Sequence, residues 1–265
     1  MSVVVVTGCS SGFGLAIASG FAERGDHVVA TMRNLDKAGQ LRDVLTEAGV
    51  TDPDIRQLDV TDPGSRSTLV SRVEADLSRI DVLINNAGLA QWGPAEEMEP
   101  EFHRALFETN YWGAYEMMRL VLPGMRALRG GRIVNMSSIA GVVTGAQFGG
   151  YAASKHALDG LSASMDLELA PFGIRVTLIM PGAYSTSIGE NTPLEALDRS
   201  AYGTDLRQPF DDLNANARLD LSPVVEATIE AATTRRPRAR YVVPAHDYLD
   251  TLVSRMEERH QATLG

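Results

Sequence analysis

The sequence predicts an α/β fold: a single domain over residues 1–265, with a doubly wound parallel sheet of about seven strands and helices on both faces. Three observations predict it. Short apolar runs alternate with helical stretches at close spacing, which demands parallel strands joined by right-handed crossovers. The strand runs are apolar almost without interruption, as strands covered on both faces must be. No linker, repeat or shift of composition divides the chain.

Each element has a local reason. Residues 3–6 are four valines ending on Thr7-Gly8, which reads as a buried strand. A helix follows over 12–24, with Leu15, Ile17, Ala18 and Phe21 on its apolar face, until Gly25-Asp26 stops it. Residues 27–32 form a second strand, 36–48 a helix closed by Gly49, and 54–58 a third strand. Asp62 caps the next helix and Pro63 fills its first turn. It runs to about 78. A fourth strand at 81–84 leads into the turn Asn85-Asn86-Ala87-Gly88. A long helix over 100–128 precedes a fifth strand at 131–136. A helix over 150–172 precedes a sixth strand at 173–179, broken by Pro181-Gly182. Residues 183–222 are polar, turn-rich and weakly periodic, as expected of a lid over a substrate. A helix at 223–234, a strand at 241–243 and a terminal helix at 247–259 complete the pattern.

The net charge of -10 repels phosphate backbones and argues against nucleic acid as a partner. The basic run Arg235-Arg236-Pro237-Arg238-Ala239-Arg240 reads as a solvated turn. Cys9 is the single cysteine, so no disulfide forms within the chain. The early apolar run at 3–6 is far too short for a signal or a membrane span, so a soluble, cytoplasmic protein is expected.

The chemistry centres on Tyr151-Ala152-Ala153-Ser154-Lys155. Tyr151 and Lys155 lie one helical turn apart on one face. An ammonium beside a phenol favours the phenolate and lowers its pKa, giving an acid–base group usable near neutral pH. Such pairs are also common on solvated helix faces, so the motif needs the rest of a site. Gly8-Cys9-Ser10-Ser11-Gly12-Phe13-Gly14 lies between the first strand and first helix. Glycines there permit a tight turn, and the helix N-terminus offers N–H groups to a diphosphate. Cys9 is a loop residue with no cationic neighbour in sequence to activate it.

Together these stretches resemble the short-chain dehydrogenase/reductase family nearly end to end, including its hydroxysteroid and retinol dehydrogenase branch. The matching motifs are Thr7-Gly8-x3-Gly12-x-Gly14, Asn85-Asn86-Ala87-Gly88, Ser138 thirteen residues before Tyr151, Tyr151-x3-Lys155 and Pro181-Gly182. Asn110 stands where the family places a fourth catalytic residue. The resemblance implies a Rossmann fold and an NAD(P)-dependent oxidoreductase that interconverts a ketone or aldehyde and an alcohol. It implies that Tyr151 donates the proton and Ser138 a hydrogen bond, while Lys155 tunes Tyr151 and holds the nicotinamide ribose. It makes Asn110 the holder of a relay water. Ser137 competes with Ser138, which the spacing favours. Tyr111, Tyr115 and Tyr184 lack a lysine four residues on, and His156 points away from the Tyr151 face.

The same resemblance assigns cofactor contacts to Gly8, Ser10, Ser11, Gly12, Phe13, Gly14, Asp59, Val60, Asn86, Ala87, Gly88, Tyr151, Lys155, Pro181, Gly182 and Thr186. At the end of the second strand the family's acidic position holds Met32, and Arg33 follows. An arginine there pairs a 2′-phosphate, so NADP(H) is expected over NAD(H), with Asp36 the competing ribose ligand. Val142, Val143, Phe148, Tyr184, Ile188, Leu194 and Leu197 suggest a lipophilic, steroid- or retinoid-like carbonyl or alcohol. The two long helices resemble those the family uses to form homodimers or homotetramers. Two other readings stay open: a non-catalytic nucleotide-binding regulator on this scaffold, and an epimerase or dehydratase that keeps its cofactor.

Overall fold

A computed structural model describes residues 1–188, 200–202 and 217–243. Its seven strands are β1 (Val3–Val6), β2 (His27–Met32), β3 (Asp54–Gln57), β4 (Val82–Asn85), β5 (Gly131–Met136), β6 (Ile174–Pro181) and β7 (Arg240–Val243). They pair in the order β3-β2-β1-β4-β5-β6-β7, all parallel. Strand order reverses between β1, whose Val4 faces Val28 on one side, and β4, whose Val82 faces Val4 on the other. Crossovers leave to opposite faces at that point and open a crevice at the strands' carboxyl ends.

The valines of β1 show why both faces are apolar. Val4 and Val6 pack with Ile17 and Phe21 of α1 (Gly12–Glu23), Leu41 and Leu45 of α2 (Ala38–Glu47) and Val224 of α7 (Ser222–Thr233). Val3 and Val5 point the other way. They join Leu69 and Val73 of α3 (Pro63–Leu77), Met117 and Met125 of α5 (Ala114–Ala127), and Met165 of α6 (Gly149–Leu169).

Several boundaries differ from the sequence reading. The long helix is α4 (Pro100–Phe107), a π-helical turn (Glu108–Gly113) and α5 in succession. The expected helix start at 36 is a 3₁₀ turn (Leu35–Lys37), because the Asn34 side chain accepts from the Asp36 N–H at 2.9 Å. β6 continues through Pro181, and the Gly182 N–H then donates to the Val243 carbonyl at 2.8 Å. Pro181 therefore ends the strand instead of breaking it. Most of the expected lid, Leu194, Leu197 and the helix at 247–259 lie outside the described residues.

Two buried ion pairs anchor α6. Asp166 is fully buried and takes Arg175 Nε and Nη2, each at 2.8 Å, and the Val176 N–H at 2.7 Å. Asp159 takes Arg240 Nε at 2.9 Å and Nη2 at 2.8 Å. Arg240 thus departs from the reading of 235–240 as a solvated turn: it is a buried strand residue, and Arg238 stacks 4.2 Å from the Tyr241 ring centre. Removing one member of a buried pair strands the other's charge. Asp166→Ala is expected to destabilise the protein by about 3–5 kcal/mol, read as a lower urea midpoint.

Candidate active site

One end of the crevice is built where β5 and β6 meet the first turns of α6. Lys155 is only 3% exposed, and its Nζ donates to the Met136 carbonyl at 2.8 Å. The same Nζ stands 5.7 Å from the Tyr151 ring centre. Ser138 stands close enough to the Tyr151 phenol to lower its pKa. Ser138 Oγ accepts from the Ala140 N–H at 3.1 Å and reaches the Pro181 carbonyl at 3.5 Å. One helical turn and one strand end therefore bring Ser138, Tyr151 and Lys155 into one cluster. Ser137, the competing serine, turns its buried Oγ toward Gly141, 2.7 Å from the Cβ an alanine there would carry.

The charges differ from the sequence expectation in one respect. Burial pushes the Tyr151 phenol up to about 12, and the Ser138 hydrogen bond only partly offsets it. Burial also pushes Lys155 down to about 8. Desolvation disfavours the charged form of each. Tyr151 consequently holds its proton at neutral pH, the state a proton donor needs.

Asn110 is buried within the π turn. Its Oδ1 accepts from the Leu89 N–H at 2.8 Å, and its Nδ2 donates to the Leu89 carbonyl and to Ser154 Oγ, each at 2.9 Å. Ser154 Oγ donates in turn to the Tyr151 carbonyl at 2.7 Å. A Cβ on Gly88 would lie 3.3 Å from Asn110 Oδ1 and 3.8 Å from Lys155 Nζ. Gly88 thus leaves a gap bordered by both polar groups.

In the loop between β1 and α1, Gly8 has φ 74° and Gly12 φ 55°, a backbone that favours glycine. A Cβ on Gly14 would collide with the Gly8 carbonyl and the Asn86 amide. Thr7 Oγ1 accepts from the N–H groups of Asn86 and Ala87, at 2.9 and 3.0 Å. Asn86 Nδ2 donates to the Thr7 and Gly8 carbonyls, at 2.9 and 3.0 Å. Ser11 precedes α1 without capping it by its side chain, so the first turn's N–H groups face the loop. Ser10 is half-buried beside it. Ser11 Oγ meets Ser187 Oγ at 2.6 Å, Phe13 stacks edge-on to Tyr184 at 5.4 Å, and Thr186 lies over Gly12. This narrow glycine cradle at an uncapped helix N-terminus fits a dinucleotide diphosphate. Cys9 is buried there, and burial pushes its thiol up to about 12, so it is inert.

The remaining assigned residues sit at the outer end of the crevice. Arg33 is exposed after β2, while Met32 is in the core. Burial raises the Asp59 carboxyl's pKa, but hydrogen bonds from Thr61 and the charges of Arg33 and Arg66 outweigh it, leaving a net lowering. Val60 packs beneath Gly113 of the π turn. Tyr111 and Tyr115 stack in an aromatic cluster on the helix surface, and His156 is exposed with Nδ1 on the Ala152 carbonyl. Sequence reasoning missed Thr7 as the clasp between two strand ends and Ser154 as the link from Asn110 to Tyr151. Both lie inside recognised motifs, which was the available signal.

A family model described as short chain dehydrogenase matches residues 2–196. The chain belongs to the short-chain dehydrogenase family. This short-chain dehydrogenase is 44% identical over 187 residues to the uncharacterized oxidoreductase YusZ of Bacillus subtilis (strain 168), covering 70% of this chain and 66% of that one. It is 35% identical over 252 residues to retinol dehydrogenase 8 of Homo sapiens, covering 89% and 79%. A solved structure of an actinorhodin polyketide ketoreductase variant with NADPH superposes at TM-score 0.78 and 30% identity, covering 91% and 95%. The short-chain dehydrogenase is therefore an oxidoreductase with an NAD(P)-binding fold. Among the described residues, no helix is long and apolar enough to cross a membrane.

Proposed function

We propose that this protein reduces a lipophilic ketone or aldehyde with NADPH, or oxidises the matching alcohol, with Tyr151 as the proton carrier. The observation that carries the reading is the cluster of half-buried Ser138 with buried Tyr151 and Lys155 at the end of a parallel sheet's crevice. When bound, the nicotinamide supplies or accepts the hydride. Gly8, Ser10, Ser11, Gly12, Phe13 and Gly14 would hold the diphosphate, with Asn86, Ala87 and Gly88 beside it. Asp59 and Val60 would line the adenine, and Pro181, Gly182 and Thr186 the nicotinamide end. Ser138 donates to the carbonyl oxygen as negative charge develops there, and Tyr151 gives it the phenolic proton. The Lys155 ammonium stabilises the phenolate left behind. A water in the gap at Gly88, held by Asn110 Oδ1, returns the proton through Lys155.

Arg33 supports NADP(H) over NAD(H). Asp36, its competitor, is held in the 3₁₀ turn by Asn34. An arginine–phosphate contact is worth about 1.5–3 kcal/mol, so Arg33→Ala should weaken NADPH about 10–100-fold and barely change NADH. Calorimetric titration of both cofactors reads this directly. Tighter NADH than NADPH binding by the unmodified protein would reverse the assignment.

Val142, Phe148 and Tyr184 support an apolar substrate, since each packs in the clusters around Tyr151 and the end of β6 or against the loop. Trp112 is 44% exposed and packs with Tyr111 at 5.0 Å and Tyr115 at 5.8 Å, an aromatic surface that supports a homodimer or homotetramer through α4–α5. A single domain in a reducing cytoplasm, its one thiol buried, completes the reading.

A further inference from the structure

We propose that Ser154 is a positioning residue for proton transfer: its hydroxyl ties Asn110 to α6 and so fixes the spacing between Asn110, Tyr151 and Lys155. It deepens the proposed function and rests on that reading for the roles of Tyr151 and Lys155.

The hydrogen bonds of Asn110 leave one site over. Its amide has two N–H donors and an oxygen that accepts twice. One donor goes to the Leu89 carbonyl at 2.9 Å and the other to Ser154 Oγ at 2.9 Å. The oxygen takes the Leu89 N–H at 2.8 Å. It has room for one more donor, and it borders the space at Gly88. A Cβ added there would lie 3.3 Å from Asn110 Oδ1 and 3.8 Å from Lys155 Nζ. The two Leu89 bonds hold Asn110 to the loop after β4. Among the described residues, Ser154 is its one hydrogen-bond tie to the helix that carries Tyr151 and Lys155. Ser154 is fully buried, so bulk water cannot replace the hydroxyl. Its own proton is committed to the Tyr151 carbonyl at 2.7 Å, so Oγ meets Asn110 as an acceptor. Two bonds in series thus run from the Asn110 amide to the backbone of the proton carrier.

The same helix holds a matched control. Ser162 is also buried, donates to the Leu158 carbonyl at 2.6 Å and accepts from Asn135 Nδ2 at 2.8 Å. The two serines make the same pair of bonds. Ser162, however, lies two helical turns farther on, about 12 Å along the axis. A serine that only packs α6 would behave as Ser162 does; a positioning serine would not.

The test measures NADPH oxidation with 2-decalone for the unmodified protein, Ser154→Ala, Ser154→Cys, Ser162→Ala and Tyr151→Phe, with a urea midpoint for each. Both alanine variants should unfold at lower urea, since each leaves a buried amide N–H unmet. Only Ser154→Ala should also lose kcat, by about three- to tenfold, with the KM for NADPH unchanged. Ser154→Cys, which fills the same space with a weak acceptor, should fall between. The pH at which reduction declines should drop in Ser154→Ala, because an ammonium deprived of an acceptor gives up its proton more readily. Full kcat in Ser154→Ala, an equal loss in Ser162→Ala, or a lower kcat with an unmoved pH midpoint overturns the role. If Ser154→Ala does not fold, Ser154→Cys decides by the same readouts. Tyr151→Phe as active as the unmodified protein would instead sink the proton-carrier reading. If no protein oxidises NADPH, the hydride-transfer reading fails and the anchor is read by 15N NMR. The Asn110 side-chain amide should then exchange about tenfold faster in Ser154→Ala, and unchanged exchange overturns the tie.

Discussion

Tyr151→Phe should lower kcat by about 10²–10⁴-fold, the usual contribution of a positioned proton donor. The ring and its packing against Phe148 would remain, so the fold should hold. The NADPH dissociation constant should change by no more than about tenfold, since one neutral hydrogen bond at the edge of the cofactor site is lost. The two readouts separate chemistry from binding. Stopped-flow NADPH oxidation with calorimetric titration of the same variant measures both. Turnover retained within about threefold would remove Tyr151 from its role, because a proton donor is worth far more than that.

Lys155→Met should abolish turnover and yet stabilise the protein without cofactor. Lys155 is buried, and burial lowers its pKa from 10.5 to about 8. Below pH 8 both the folded and unfolded chains hold the proton, so the folded state bears the whole cost of burying the cation. That cost is relieved as pH rises from about 8 to 10.5, where the unfolded chain alone stays protonated. A shift of this size corresponds to about 3 kcal/mol. Losing the charged bond to the Met136 carbonyl returns about 2 kcal/mol, leaving a net gain of about 1 kcal/mol at pH 7. Differential scanning calorimetry should show Tm higher by about two degrees. An unchanged or lower Tm would mean that the ammonium is not destabilising where it sits. The same titration gives an activity signature: carbonyl reduction should fall as pH rises through about 8, because the charge that stabilises the phenolate is lost. This is the usual tension between stability and a working site.

Much of the fold was legible because its signals are local. Four valines before a glycine turn, and Asp62-Pro63 before a helix, specify their elements within a few residues. The motif spacings placed Ser138, Tyr151 and Lys155 for the same reason, since one helix turn and one strand end fix them. The π turn at 108–113 was not legible: one extra residue per turn leaves no mark in an apolar pattern that continues on both sides. The Arg240–Asp159 pair spans 81 residues, so 235–240 read as surface charge. The phenol's raised pKa also escaped, because sequence shows the neighbouring lysine but not the depth of burial.

The most direct measurement follows a label from the cofactor to the product. NADPH carrying deuterium at both C4 positions is incubated with 2-decalone and the enzyme. The alcohol formed should carry one deuterium on its carbinol carbon for each NADPH consumed, and Tyr151→Phe should form almost none. Alcohol free of deuterium, or equal labelled product from Tyr151→Phe, would contradict hydride reduction with proton delivery from Tyr151.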